Sequence, residues 1–274
     1  MPLTALALAL AAAFVHALWN LLLARARDIE AATAVALVVA VAAFAFPAAA
    51  FWQVDGRVWP YLVGSAALEL VYFALLAAGY RRAEFSVVYP IARGSAPVLV
   101  LVVAVALLNA STSWQQTAGV ALIAGGIVFV RGFQHGMARG GVAFGLTIGC
   151  CIAGYTLIDK HGIRYATPVS YLELSMMPPA IAYAAAVGRA KGLAALRAET
   201  NPAAVVAGLA TFGAYALVLA ALERAPAASV AAVRETSVVI AIALAGIFLK
   251  ERVGWPRMAG AVVIAGGIGL LSLG

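Results

Sequence analysis

The chain has 274 residues, of which 65% are hydrophobic and 11% charged, with a mean hydropathy of +1.02 and a net charge of +7. Soluble domains average about 45–50% apolar and about 25% charged residues, so a water-soluble fold is excluded and lipid is the solvent this surface requires. The basic residues stand singly in short loops, without a basic stripe or aromatic platform, which excludes nucleic acid as a partner and leaves orientation in the bilayer as their role.

Breaks in hydropathy predict ten membrane-spanning helices, over roughly 3–24, 32–52, 58–80, 85–107, 114–131, 140–159, 168–188, 201–222, 227–249 and 255–273. Charges, glycines and prolines mark the joints, among them Arg25 to Glu30, Asp55-Gly56-Arg57, Arg81-Arg82, Asp159 to Arg164, Arg189 to Asn201 and Lys250 to Pro256. Strands are excluded, because an open sheet cannot satisfy its backbone in hydrocarbon and these segments do not alternate as barrel strands do. An ionisable side chain inside a span costs about 2.5–3.5 kcal/mol on insertion scales. Each is therefore a functional candidate, with a helix-orienting ion pair as the competing reading.

The first helix carries His16, Trp19 and Asn20 at spacings of three and four, so His16 shares a face with each of the others. They read as a substrate face or inner gate, against the plainer roles of interhelix tie and interface anchor. His16 titrates near neutral pH and is one proton-carrier candidate. The run lacks a basic leader region and reads as a retained helix, not a cleaved signal. Helix three places Glu69 at its centre, where a desolvated carboxyl is expected to bind and release a proton during transport; a permanent salt bridge to Arg93 is the alternative.

Helix four carries Tyr89 and Arg93 one turn apart, and Arg234 stands on helix nine. A guanidinium stays charged and offers a planar fork to a carboxylate or phosphonate, so both arginines are candidates for holding an anionic solute, against pairing with Glu69 or Glu235. Pro90 and Pro97 predict a bent helix four. On helix six, Gly141, Gly145 and Gly149 form a stripe for close packing, and the adjacent Cys150 and Cys151 cannot form an unstrained bridge. Tyr155 on helix six and Tyr215 on helix eight, with Tyr72, Tyr80 and Tyr89, offer aromatic walls with polar tips. Glu173 lies nearer the end of helix seven and is expected to be solvated.

The segment AGVALIAGGI at 118–127 recurs as AGAVVIAGGI at 259–268, and the same offset carries Trp114 onto Trp255 and Arg93 onto Arg234. The chain is therefore two halves of five helices. Five is odd, so the second half enters the membrane in the opposite sense. Loop charges agree: alternate joints starting with 1–2 hold twelve basic residues and the others four. By the positive-inside rule the first set is cytoplasmic and both termini are outside, as in an inverted-repeat carrier.

The motifs His16-Ala17-Leu18-Trp19-Asn20, Tyr89-Pro90-Ile91-Ala92-Arg93-Gly94 and Phe248-Leu249-Lys250-Glu251-Arg252, with Gly-Gly pairs on helices five and ten, resemble the EamA-type transporters of the drug/metabolite transporter superfamily. The resemblance covers essentially the whole chain, although the first half has Asn109-Ala110-Ser111 where the second has Lys250-Glu251-Arg252. It implies a proton-coupled or exchange-type carrier, often an exporter of amino acids or other metabolites.

The expectation is thus an all-α multi-pass protein of a bacterial inner membrane, with EamA-like repeats at 1–131 and 140–274 and a cavity between them. Arg93, Tyr89, Arg234, Trp19, Asn20, Tyr155 and Tyr215 are its substrate-binding candidates, and Glu69 and His16 its proton-coupling candidates. Its partners are a small-molecule substrate and the lipid bilayer, with no cofactor or metal and with monomer and homodimer both open. The alternatives are a broad-specificity drug exporter, a non-transporting scaffold, and a membrane-embedded lipid-modifying enzyme. The enzyme would need clustered acids or a metal set, but the chain has no HExxH motif and its three histidines stand far apart, at 16, 135 and 161.

Overall fold

A computed structural model describes residues 1–24, 26–82, 85–107, 109, 111–131, 139–237, 239–240 and 255–273. The described residues are helical almost throughout: α1 Leu3–Ala24, α2 Ile29–Ala50, a 3-10 turn Gly56–Val58, α3 Trp59–Arg82, α4 Phe85–Ala106, α5 Trp114–Arg131, α6 Arg139–Gly162, α7 Pro168–Lys191, α8 Leu193–Ala198, α9 Pro202–Arg224, α10 Ala227–Arg234 and α11 Trp255–Leu273. Local chemistry fixes several starts. Asp28, Thr167 and Asn201 each accept a backbone N–H of the first turn, and Pro168 and Pro202 open α7 and α9, where a missing N–H costs nothing. Gly192 closes α7 at φ +82, a left-handed conformation that favours glycine.

Among the described residues, three helical stretches, Ile29–Ala50, Gly56–Leu75 and Pro202–Arg224, are long and apolar enough by composition to cross a membrane. Nine of the ten predicted helices have counterparts within a few residues. The predicted ninth, 227–249, is described over Ala227–Arg234 and at 239–240, and the rest lies outside the described residues. Helix α4 runs as one element through both prolines. The short α8 lies inside what the sequence presents only as a joint.

Two expectations are corrected. The joint expected from Asp159 to Arg164 begins later, because α6 runs past its expected end at Asp159 to Gly162. Lys160 and His161 occupy the last turn, where cations suit the helix dipole, and Asp159 is fully buried with hydrogen-bond partners. Glu173 is not solvated; it is 7% exposed, shielded within the bundle.

The packing of the two halves is reciprocal. Helix α1 packs on α9 and α10, as α6 packs on α3 and α4; α2 contacts α9 as α7 contacts α3; α2 meets α7 and α5 meets α11. Exchanging the halves maps this pattern onto itself. The α5–α11 contact shows the sense of the exchange. A Cβ added at Gly126 would lie 2.6 Å from Ile264 Cγ1 and 2.9 Å from the Gly260 carbonyl oxygen, and one added at Gly267 would lie 2.8 Å from both Ile123 Cγ1 and the Gly119 carbonyl oxygen. The residues on α5 descend as their partners on α11 ascend, so the equivalent helices run antiparallel and the halves are inverted.

The halves are also joined at both ends of the bundle. At one end, Lys191, the last residue of α7, bonds Asp28 at 2.8 Å and Glu30 at 2.9 Å, and Glu199 accepts the Asp28 N–H at 3.0 Å. At the other, residues 51–55 meet the α6–α7 connection. The Asp55 N–H donates to the Tyr165 carbonyl at 2.8 Å, the Thr167 N–H to that of Gln53 at 3.1 Å, and Val54 and Ala166 form an isolated antiparallel bridge. Ser170 reinforces this contact by donating to the Ala48 carbonyl.

Candidate functional site

A cavity opens between the halves, walled by α1, α2 and α3 of the first and α6, α7, α9 and α10 of the second. Helical spacing decides which side chains face it. His16 and Trp19 on α1, Glu69, Tyr72 and Phe73 on α3, and Thr211, Phe212 and Tyr215 on α9 recur at three and four residues and so share faces. Tyr155 reaches it from α6, Leu172 and Met176 from α7, and Arg234 from α10.

The aromatic wall is continuous. Tyr72 contacts Phe73 with ring centroids 5.2 Å apart and Tyr155 at 6.4 Å, and Tyr155 contacts Tyr215 at 6.2 Å, all edge to face, the arrangement ring quadrupoles favour. Trp19 donates its ring N–H to His16 Nδ1 at 3.2 Å, which requires that nitrogen to be unprotonated. The hydroxyls of Thr156 and Thr211 return to carbonyls of their own helices, at 2.7 Å each, so their polarity is satisfied without water.

Buried charge gathers at one side. Glu69 is 5% exposed and Arg234 4%. Arg234 Nε lies 3.5 Å from Glu235 Oε1, and Glu235 is fully buried. Behind the wall stands Asp159. The Tyr171 hydroxyl donates to its Oδ1 at 2.8 Å, and the Tyr215 hydroxyl to its Oδ2. Glu69 lies within electrostatic reach of both Asp159 and Arg234. The adjacent cysteines are free, Cys150 exposed and Cys151 buried.

Of the predicted site residues, the cavity brings together His16, Trp19, Glu69, Tyr155, Tyr215 and Arg234. The side chains of Asn20, Tyr89 and Arg93 lie outside the described residues. Sequence reasoning missed Asp159 and Tyr171. Asp159 sits four residues after Tyr155 and thus on the same helical face, a spacing that could have pointed to it; the Tyr171 and Tyr215 contacts come from other helices and leave no local trace.

Comparison with known proteins agrees with the fold. The model of the EamA-like transporter family matches twice, at residues 3–132 and 139–273. A solved crystal structure superposes with a TM-score of 0.78 over 100% of this chain and 98% of its own, at 15% identity, a likeness of fold alone. Among curated proteins no sequence matches.

Proposed function

The chain belongs to the EamA-like transporter family, and from that premise we propose that it is a secondary transporter that exports small organic metabolites, such as amino acids or related anion-bearing solutes, by alternating access. Family membership makes it a membrane transporter of the drug/metabolite transporter superfamily; substrate class, coupling and direction are our reading. The observation that carries this reading is the cavity, which is built by both inverted halves and lined by buried charge and aromatic faces. Binding sites at the repeat interface are the general design of carriers with inverted repeats.

In this reading residues 1–131 and 140–274 are the two repeats, and the basic loops face the cytoplasm of a bacterial cell from its inner membrane. Arg234, with its repeat mate Arg93, holds the anionic group of the solute. Trp19, Tyr155 and Tyr215, joined by Tyr89 and Asn20, enclose its body. Glu69 couples protons, with His16 as the second candidate. Deprotonated Glu69 and cationic Arg234 are expensive to bury apart, so proton or solute arrival changes the balance between the arrangements of the halves.

Counterflow in liposomes carrying the purified protein tests this, with a labelled panel of amino acids, organic acids, phosphonates and cationic dyes. Saturable uptake of an anion-bearing compound, abolished in Arg93→Ala and Arg234→Ala, is the expected result. Uptake of cationic dyes alone would reassign the arginines to structural pairing. Formation of a chemical product without transport would replace the carrier by an enzyme.

A further inference from the structure

The joints with the smaller share of basic residues hold Arg57, Lys160, Arg164 and Arg224, and the positive-inside rule gives these four no role. They gather at the end of the bundle where residues 51–55 meet the α6–α7 connection. Two are neutralised: Arg57 pairs with Asp55 and Arg224 with Glu223, each at 2.8 Å. Lys160 and Arg164 have no carboxylate partner among the described residues. They lie within electrostatic reach of each other, and the nearby Glu223 is held by Arg224. Asp159 is turned to Tyr171 and Tyr215. The residues of the α4–α5 joint outside the described set, Leu108 and Ala110, carry no charge. Two like charges held together without a counter-charge attract an anion.

Lys160 and Arg164 line a second cavity, separate from the one between the halves, together with His161 and the hydroxyl residues Ser111 and Thr112. Lys160 donates to the Leu222 and Ala225 carbonyls at the end of α9, and its ammonium keeps a third donor. Donors of this kind suit phosphate oxygens. The remaining wall is hydrocarbon, from Leu101, Ala104 and Val105 of α4 and Leu157 of α6. Val105 is also exposed, and the exposed Val102 and Val98 continue its face along α4 at spacings of three and seven. Trp114 opens α5 beside this rim with its side chain exposed, as tryptophans stand at headgroup depth. A cation pair at that depth, continuous with an apolar strip, has the form of a phospholipid. We propose that this cavity is a lipid site: Lys160 and Arg164 hold the phosphate headgroup of an anionic phospholipid, and an acyl chain lies along Val105, Val102 and Val98. The site requires only that the chain sits in a membrane and stands apart from the choice of solute.

Fluorescence quenching by brominated lipid tests the site in the full-length protein, with Cys150 and Cys151 replaced by alanine and a bimane label on Leu107→Cys, two residues beyond Val105. A second protein carries the label on Val262→Cys, an exposed position of α11 outside the cavity. Nanodiscs of phosphatidylcholine receive a rising fraction of brominated phosphatidylglycerol, with brominated phosphatidylcholine as the zwitterionic reference. At position 107 the anionic lipid should be preferred about tenfold or more, and at position 262 not at all. Arg164→Gln should lower the preference at 107 severalfold, and Lys160→Met at least as much. No preference at 107 overturns the site, as does an equal preference at 107 and 262, or a preference unchanged in Arg164→Gln. If Lys160→Met does not fold, for want of its bonds to the end of α9, Arg164→Gln decides, because the exposed Arg164 side chain bonds no described residue. Soluble glycerol phosphate should not relieve the quenching; relief would assign the cavity to a free phosphate ester and overturn the lipid as its occupant.

Discussion

Asp159 illustrates how one residue is held at depth. Its carboxylate is fully buried, and the hydroxyls of Tyr171 and Tyr215 supply what water would otherwise give. Tyr171 reaches it across Gly162, where an added Cβ would meet Tyr171 Cε2 at 2.3 Å. Tyr171→Phe leaves one Asp159 oxygen without its donor, so thermal melting of the purified protein in detergent should show a loss of about 1–3 kcal/mol. Gly162→Ala should act in the same direction by displacing the ring, while Gly56→Ala, with nothing within 4 Å of its added Cβ, should not. The sequence makes Glu69 and Arg234 legible because charge inside an apolar run is conspicuous. Asp159 escapes the same reading because Lys160 and Arg164 follow it, and a run of charge at the end of an apolar segment looks like a loop. Its burial depends on tyrosines 12 and 56 residues away, which no local pattern joins to it.

At the scale of elements, the repeated AGG segments make two helices meet at their glycines. In each Gly-Gly pair only one glycine faces the contact: Gly126 and Gly267 meet backbone and isoleucine atoms, whereas Gly125 and Gly266 have nothing within 4 Å. Gly126→Ala and Gly267→Ala should each cost about 1–3 kcal/mol by overpacking, and Gly125→Ala and Gly266→Ala should be close to neutral, again by melting in detergent. Equal effects within a pair would refute the facing geometry. The recurrence at 118–127 and 259–268 announces this symmetry, although the sequence does not say that the copies pack on each other. The connections between helices were less legible. The hydrogen bond from Lys191 draws the Asp28 carboxyl below its usual range, and the same bond raises the Lys191 ammonium. Asp28 thus stabilises the folded state above its unfolded value of 3.8 and loses that contribution as pH falls through its lowered folded value. Lys191 contributes below its unfolded value of 10.5 and loses it as pH rises through its raised one. The pair should therefore hold unchanged across neutral pH. The difference in melting temperature between wild type and Lys191→Met should be flat from about pH 5 to pH 9 and shrink at acid pH and in high salt, since exposed pairs are small and screened.

For the whole molecule, the halves are inverted copies that enclose a cavity and touch at both ends. The two end contacts occupy equivalent places. The α1–α2 joint meets the end of α7 and the segment after it at one end, and the α6–α7 joint meets the segment after α2 at the other. Their chemistry differs, ionic at the first and backbone bridging at the second, so the symmetry lies in the fold and not in the bonds. In the proposed carrier, alternating access requires these contacts to part in turn while the cavity persists between them. The bridge between Val54 and Ala166 offers a direct hold on it, because paired residues of antiparallel strands lie about 4.5–5.5 Å apart, within disulfide reach. The decisive measurement is counterflow by the Val54→Cys/Ala166→Cys protein in liposomes, with Cys150 and Cys151 replaced by alanine, before and after oxidation. Uptake should fall to the protein-free background when the crosslink forms and return with reductant; unchanged uptake with the crosslink complete would contradict the motion.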